Sequence, residues 1–261
     1  MIRRVFTVIV CLLVAGIAFA GGMSEGQEGT DAPAAGSDRE SAAGPSAFDE
    51  RVDERERLVE RRIVAQGITD QTVVDAMRSV PRHVFVPPEH RDAAYADRPL
   101  PIGHGQTISQ PYVVAYMTEV LEVGPSSRVL EVGTGSGYQA AVLAEVVETV
   151  HTIEVIEPLA RSARARLESL DYDAVVVHAG DGYYGWEEAA PYDAIIVTAA
   201  AGHVPPPLLE QLKPDGRMVI PVGPVHAVQQ LILVEKAADG SITTTQLVPV
   251  RFVPMTGRAQ E

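Results

Sequence analysis

Short apolar runs alternate with amphipathic segments through the middle and the C-terminal half of this chain. The run at 192–198 is apolar on both faces, which is typical of a parallel strand buried within a sheet. The segments between the runs repeat their apolar residues every three or four positions, which indicates helices. Strands that alternate with helices predict an α/β fold with a doubly wound, mostly parallel sheet. The predicted strands are 128–132, 149–154, 174–178, 192–198 and 217–222, and the predicted helices between them are 138–147, 158–170 and 206–212.

The C-terminal part of the chain breaks this alternation. Two predicted strands, at 229–235 and 241–248, follow one another with no helix between them. The Asp239-Gly240 pair that separates them is typical of a tight hairpin turn. The sheet is therefore expected to end in an antiparallel edge.

A helical extension is predicted before the alternating region. Apolar residues recur on one face among dense charges up to Gly67, which stands where a helix would stop. Asp70 is placed to cap the next helix. The Pro-rich stretch 84–105 is expected to be an irregular connector. The predicted helices of the extension are 49–67, 70–79 and 110–121.

The first residues have the pattern of an export signal. Arg3 and Arg4 precede an apolar run over 5–20, and this run ends in the small-residue pattern Ala-Phe-Ala. That order of features predicts a secretory signal peptide over 1–20, and hence export to the periplasm. An uncleaved membrane anchor is the alternative, although the run is slightly shorter than the ~20 residues that a membrane span needs.

The next segment is predicted to be a linker. Residues 21–47 are rich in Gly, Ala, Ser, Asp, Glu and Pro and hold almost no large apolar side chain. They cannot bury enough surface to offset the entropy lost on ordering, so a disordered linker is expected. Residues 48–261 then form one folded domain. Translation from Met23 is an alternative that would leave the protein in the cytoplasm.

Composition narrows the classes of function. The chain has 261 residues, is 46% hydrophobic, which is enough for a core, and carries a formal net charge of −14. An acidic surface repels phosphate backbones, so no nucleic-acid partner is expected. The single cysteine, Cys11, allows neither an internal disulfide nor a cysteine-based zinc site, and the histidines lack ligand spacing. No metal is therefore expected.

The candidate chemistry is concentrated in a glycine-rich loop after the first strand of the repeat. The segment 131–137 reads Glu-Val-Gly-Thr-Gly-Ser-Gly and leads directly into a predicted helix. Gly133, Gly135 and Gly137 allow the backbone to turn tightly and to approach a ligand closely. Ligands in such folds bind beyond the carboxyl ends of the strands. Glu154 ends the next strand 21 residues after Gly133, where a carboxylate can accept both ribose hydroxyls of a nucleoside.

Two residues distinguish between the candidate cofactors. The NAD fingerprint requires glycine where this chain has Tyr138. Glu131 would face the like charge of a pyrophosphate, whereas it suits the sulfonium or the amino group of S-adenosylmethionine, which has no phosphate. S-adenosylmethionine is therefore the predicted cofactor, and an NAD-dependent oxidoreductase is the alternative. Asp181-Gly182, after the third strand, is either a contact to the adenine amino group or an ordinary turn.

Several motifs occur in the order in which one known family has them. They are LPIGHGQTISQP at 100–111, VLEVGTGSGY at 129–138, GDG at 180–182, PYDAIIVTAA at 191–200, IPVG at 220–223 and RFVPM at 251–255. On these motifs the chain, from about 52 to 256, resembles the protein-L-isoaspartate O-methyltransferases.

The resemblance implies a Rossmann-like class I methyltransferase domain over 48–261. Such an enzyme uses S-adenosyl-L-methionine to methylate the α-carboxylate of L-isoaspartyl residues in damaged proteins and peptides. The ester cyclises to a succinimide, and hydrolysis of the succinimide partly restores aspartate. A monomer is expected, and the cytoplasmic location usual for the family conflicts with the export signal. An exported binding module that keeps this fold without turnover is the alternative.

The resemblance also assigns roles to single residues. Ser109 would lie at the active site, where its hydroxyl binds or orients the substrate carboxylate. On the sequence alone, a cap for the helix that starts at Pro111 is the favoured role of Ser109, and the resemblance reverses that preference. Thr107 and Ile108 would line the cofactor cleft, and Thr256 would face the substrate. No general base is needed, because a carboxylate is already ionised at pH 7.

Overall fold

The structure, a computed structural model, describes residues 46–224 and 227–257. The predicted signal segment 1–20 and almost all of the predicted linker 21–47 lie outside these ranges. Within them, no helix is both long enough and apolar enough to cross a membrane.

A seven-stranded sheet forms the centre of the described fold, and a separate two-stranded hairpin lies before it. The strands are β1 (Leu100–Gly103), β2 (Gln106–Ile108), β3 (Arg128–Val132), β4 (Thr149–Glu154), β5 (Val175–Ala179), β6 (Tyr192–Val197), β7 (Leu212–Val222), β8 (Gln229–Lys236) and β9 (Ile242–Val250). The order in the large sheet is β5-β4-β3-β6-β7-β8-β9. The pairs from β5 to β7 are parallel, and β8 and β9 add an antiparallel edge. The predicted doubly wound, mostly parallel α/β sheet is confirmed.

Six α-helices accompany the sheet in the described part of the chain. They are α1 (Val52–Leu58), α2 (Gln71–Ser79), α3 (Pro111–Val120), α4 (Tyr138–Ala144), α5 (Glu157–Ser169) and α6 (Pro206–Gln211). The predicted helix 49–67 is only in part α-helical, since α1 continues as a π turn and then a 3-10 turn. It ends at Gly67, which adopts a φ of 104° that glycine tolerates best. Asp70 caps α2 by accepting from the amides of Thr72 and Val73, as expected.

The connector predicted to be irregular is wrong in part. Strands β1 and β2 form an antiparallel hairpin within the expected connector and just beyond it. Its turn passes through Gly103, His104 and Gly105, all with positive φ. These strands have only four and three residues, so an alternation of apolar and polar residues cannot be recognised in them, and the nearby Pro and Gly residues indicate a loop instead. The hairpin brings the segment after β2 to the edge of the sheet's ligand-binding end.

Strand β7 also begins earlier than predicted, at Leu212 instead of residue 217. Tyr192 of β6 pairs with Leu212, whereas Ala194 pairs with Arg217, so residues 213–216 bulge out of the ladder. The Pro-Asp-Gly in this bulge hides the strand in the sequence, because these residues are typical of turns.

Both faces of the sheet are buried, and alternate residues of its central strands face opposite sides. In β6, Ala194 and Ile196 pack in one apolar cluster with the N-terminal helices and α4, while Ile195 and Val197 pack in the other with α6. The helical extension is thus part of the core of the domain. The parallel strands end together beside the glycine-rich loop, at the edge where ligands bind in sheets of this type.

Candidate active site

The glycine-rich loop joins β3 to α4 with a backbone that only glycine adopts easily. Gly133, Gly135 and Gly137 have φ values of 100°, 52° and 87°. At Gly133 there is also no room for a side chain, because a Cβ there would lie 2.5 Å from Oγ1 of Thr198. That hydroxyl, which directly follows β6, donates to the carbonyl of Gly133 at 2.7 Å. Thr198 therefore fixes the loop against the sheet.

Glu154, the predicted ribose ligand, lies at the end of β4 and faces the loop. Its Oε2 accepts from the amide of Gly135 at 2.8 Å, and its Oε1 accepts from the amide of Ile156 at 2.9 Å. The carboxylate is 6% exposed and lines the cleft. Two backbone donors orient it, and each oxygen keeps a lone pair for a hydroxyl of a ligand.

Glu131 is the most unusual acid of the cleft. It is fully buried, and its Oε2 accepts from the hydroxyl of Thr152 at 2.6 Å. Its Oε1 has no hydrogen-bond partner in the described part of the chain. Burial raises the pKa of Glu131 from 4.5 to about 8. A buried acceptor without a partner is costly, so this oxygen suits a cationic or N–H-bearing ligand group.

The opposite wall contains the segment after β2. Thr107, Ile108 and Ser109 line the cleft together with Thr256 from the C-terminal segment. The structure thus brings the residues assigned by the resemblance to the same cleft as Glu131. Thr256 lies more than a hundred residues after the others in the sequence, and the fold brings it into the same cleft.

Ser109 is not the cap of α3. Gln110 is the N-cap residue, and the amide of Tyr112 donates to the carboxylate of Asp97 at 2.9 Å. The carbonyl of Ser109 accepts from Arg82 at 2.8 Å. The guanidinium of Arg82 is buried and lies over the ring of Tyr138, at 4.8 Å from its centroid. The hydrogen bond with Arg82 therefore fixes the backbone of Ser109. Its side chain does not cap the helix, and the residue lines the cleft.

The Asp181-Gly182 pair forms a short turn after β5. Asp181 accepts from the amide of Tyr183 at 3.0 Å and caps the 3-10 turn that begins at Gly182. Gly182 lines the cleft, and a Cβ there would lie 2.4 Å from Cγ1 of Val132. The turn is therefore confirmed, whereas a contact between Asp181 and an adenine stays a prediction.

A second cavity, of about 750 Å³, adjoins the cofactor cleft. The two share Thr107, Ser109, Thr198 and Val253.

Sequence reasoning missed Thr198, although its place directly after a buried parallel strand is a usual signal for a site residue. Among the residues that the structure describes, no group of three or more His, Cys, Asp or Glu side chains could hold a metal ion.

Comparisons with known families and proteins identify the family of this chain. The family model described as protein-L-isoaspartate(D-aspartate) O-methyltransferase matches residues 53–260. Protein-L-isoaspartate O-methyltransferase 2 of Polaromonas sp. is 63% identical over 189 residues, which cover 72% of this chain and 90% of that protein. Protein-L-isoaspartate O-methyltransferase 1 of Nitrosospira multiformis is 61% identical over 205 residues, covering 78% of this chain and 87% of that one.

Two solved structures extend the similarity to the fold. A protein-L-isoaspartate O-methyltransferase superposes with a TM-score of 0.72 at 30% identity, covering 78% of this chain and 67% of that chain. A Plasmodium falciparum protein assigned to the same family, solved in complex with S-adenosyl-L-homocysteine, gives a TM-score of 0.68 at 26% identity, covering 77% of this chain and 98% of that chain.

Proposed function

The chain belongs to the protein-L-isoaspartate(D-aspartate) O-methyltransferase family, and we propose that Ser109 orients the substrate carboxylate in its active site. The protein is a carboxyl methyltransferase that uses S-adenosyl-L-methionine to methylate L-isoaspartyl residues of damaged proteins, which starts their repair through a succinimide. The observation that carries the proposal is the place of Ser109, where the cofactor cleft meets the larger cavity.

The residues of the cleft fit the cofactor. The unpartnered Oε1 of Glu131 suits the cationic methionine portion, and Glu154 suits the ribose hydroxyls. Gly133 and Gly135 line the cleft without a side chain, so that a nucleoside can lie against their backbone. Gly137, where a Cβ would meet Leu167 of α5, allows the tight turn into α4. The remaining positions proposed to bind the cofactor are Thr107, Ile108, Asp181 and Gly182.

The reaction asks for positioning more than for acid–base chemistry. When bound, S-adenosylmethionine supplies a methyl group on a sulfonium centre; the ester C–O bond forms as the C–S bond breaks, and the electron pair goes to sulfur. The acceptor carboxylate is ionised at pH 7 and needs no base. The hydroxyl of Ser109 donates to one carboxylate oxygen, which aims the other at the methyl group, and Thr256 lies on the same wall. We also propose that the protein acts as a monomer and without a metal ion, since methyl transfer from a sulfonium to an ionised carboxylate requires only positioning.

Replacing Ser109 by alanine is expected to lower kcat on an isoaspartyl peptide by about tenfold to a hundredfold, as loss of a positioning hydrogen bond does. The Kd for S-adenosylmethionine should stay within about twofold, because the hydroxyl is proposed to act on the acceptor. Ser109→Thr keeps a hydroxyl and should retain most of the activity. The measurement is base-labile incorporation of labelled methyl groups, with the corresponding Asp peptide as the control substrate.

Three outcomes of this assay would count against the proposal. Equal loss of turnover and of cofactor binding in Ser109→Ala would contradict the assigned role. Methylation of the Asp peptide as well would contradict the acceptor. Cofactor binding by the wild-type chain without any methyl transfer would favour the alternative, an exported binding module without turnover.

We also propose that residues 1–20 direct export and are cleaved after Ala20. The support is the basic start, the apolar run and its Ala-Phe-Ala end. Cell fractionation with N-terminal sequencing of the native protein should find a mature start at Gly21 outside the cytoplasm. A chain that starts at Met23 in the cytoplasm, or one that keeps Met1 in the membrane fraction, would contradict this proposal.

A further inference from the structure

The larger cavity exceeds what the reacting group needs. It measures about 750 Å³ and shares its inner wall, at Thr107, Ser109, Thr198 and Val253, with the cofactor cleft. An acceptor carboxylate held by Ser109, as proposed above, would lie at this shared wall. Most of the cavity is therefore available to whatever is covalently attached to the acceptor.

The outer wall of this cavity is aromatic and aliphatic. Tyr112 and Tyr116 lie one turn apart on α3, and their rings stack with centroids 6.0 Å apart and planes 16° apart. Phe252 also lines the cavity, together with several valines. Partial burial raises the pKa of both tyrosines above its ordinary value, and even that ordinary value leaves the hydroxyls neutral at physiological pH. The wall presents flat apolar faces with polar tips.

The charge of the lining is unusual for this protein. Among the described residues, Arg251 is the one charged residue that lines the cavity, and it is exposed, whereas the whole chain carries a formal net charge of −14. A groove built to select cationic neighbours of the acceptor would contain carboxylates. A cavity of this size that is lined mainly by apolar and aromatic side chains instead favours an apolar group, since burial of apolar surface stabilises a complex in proportion to its area.

We propose that this cavity binds a bulky apolar side chain, preferably aromatic, on a residue next to the isoaspartyl residue of the substrate. The inference rests on the proposed function. On the amino side of an isoaspartyl residue the adjacent Cα atoms are about 3.8 Å apart, and on its carboxyl side the β-linkage adds one methylene group. A side chain on either side therefore lies close to an acceptor held at Ser109, in the cavity that Tyr112 and Tyr116 line. Because the cavity begins at Ser109, its occupant belongs to the same molecule as the acceptor.

The test compares three isoaspartyl peptides that differ only in the neighbouring residues. One has glycine on both sides, one has phenylalanine on the amino side, and one has phenylalanine on the carboxyl side. For the wild-type protein, kcat/KM for at least one phenylalanine peptide should exceed that for the glycine peptide by about tenfold or more, as expected for burial of an aromatic side chain.

Two double variants connect this preference to the ring pair. In Tyr112→Ala/Tyr116→Ala the ratio of kcat/KM values should fall to about one, because the flat apolar wall is gone. In Tyr112→Phe/Tyr116→Phe the ratio should persist, because the rings remain. The ratio is taken within each variant, so a loss of folded protein cancels, and thermal unfolding curves show whether the variants fold.

The outcomes separate this inference from the proposed function. No methylation of any isoaspartyl peptide would overturn the function itself. Equal efficiency on all three peptides in the wild type, or a preference for phenylalanine that survives in the double alanine variant, would overturn the inference and leave the function standing.

Discussion

Replacing Gly133 by alanine is expected to abolish measurable binding of S-adenosylmethionine and to lower the free energy of unfolding by roughly 2–5 kcal/mol. Two costs combine. The φ of 100° is unfavourable for any residue with a Cβ, at about 1–2 kcal/mol. In addition, the Cβ would lie 2.5 Å from Oγ1 of Thr198, and relief of such a clash by backbone shifts costs about 1–3 kcal/mol.

Gly67 offers a matched control for the backbone term. It has a φ of 104°, and a Cβ there would meet no atom within 4 Å. Gly67→Ala should therefore show the conformational cost alone and leave cofactor binding unchanged. Urea unfolding and calorimetric titration of both variants measure the difference. Equal destabilisation by the two substitutions, or cofactor binding by Gly133→Ala, would show that the contact with Thr198 does not fix the loop.

A double variant tests the steric part directly. Thr198→Ala removes the hydroxyl, after which the nearest remaining Thr198 backbone and Cβ atoms would lie 3.8 Å from the new Cβ. Thr198→Ala also removes the hydrogen bond to Gly133, so by itself it should destabilise the protein by about 1 kcal/mol. The two substitutions together should cost less than the sum of their separate effects, which a double-mutant cycle measures. Additive costs would contradict a clash at this position.

The parts of the site that follow from local sequence could be predicted. The glycine-rich loop and Glu154 are fixed by a strand, a turn and the next strand, so their spacing is visible in the sequence. The alternation of apolar runs likewise predicts the sheet, because strands buried on both faces must be apolar. The bulge at 213–216 was not visible as part of a strand, because it carries turn residues inside a paired region.

The parts that depend on distant residues could not be predicted. Asp97 caps α3 across 15 residues of chain, and no local pattern favours it over Ser109, which stands next to the start of the helix. The unpartnered oxygen of Glu131 is a property of close packing around it, which no single-sequence pattern contains. The larger cavity combines Tyr116 of α3 with Phe252 from the segment after β9, and only the fold brings these elements together.

The buried carboxyl of Glu131 is expected to lower the stability of the cofactor-free protein at alkaline pH and to strengthen the binding of the cofactor. Burial raises its pKa to about 8, so in the cofactor-free protein at pH 7 the carboxyl is mostly neutral. Its unfolded pKa is near 4.5. Between pH 4.5 and about pH 8 the folded state therefore binds one more proton than the unfolded state. The stability that Glu131 contributes is fully present below about pH 4.5 and is lost as the pH rises towards 8. Within this pH range the equilibrium constant for folding changes by up to about tenfold per pH unit.

Glu131→Gln removes this dependence, because a neutral amide takes the place of the titrating group. The cofactor-free variant should be more stable than the wild type at pH 8 to 9, and the difference should shrink as the pH falls towards 5. Urea unfolding across this range measures it. Glu89, which is exposed, supplies the control: Glu89→Gln should leave the pH profile unchanged. A Glu131→Gln variant that is less stable than the wild type at pH 9 would contradict the buried, neutral carboxyl.

The same substitution should weaken binding of S-adenosylmethionine by about tenfold or more, since an amide cannot supply the negative charge that pairs with a cationic ligand. Binding to the wild type at pH 7 should then release close to one proton, because Glu131 ionises when the cation lies beside it. Glu131→Gln should release none from this position. Titration calorimetry in buffers of different ionisation enthalpy counts these protons, and an equal count for both proteins would place the cationic part of the cofactor away from Glu131.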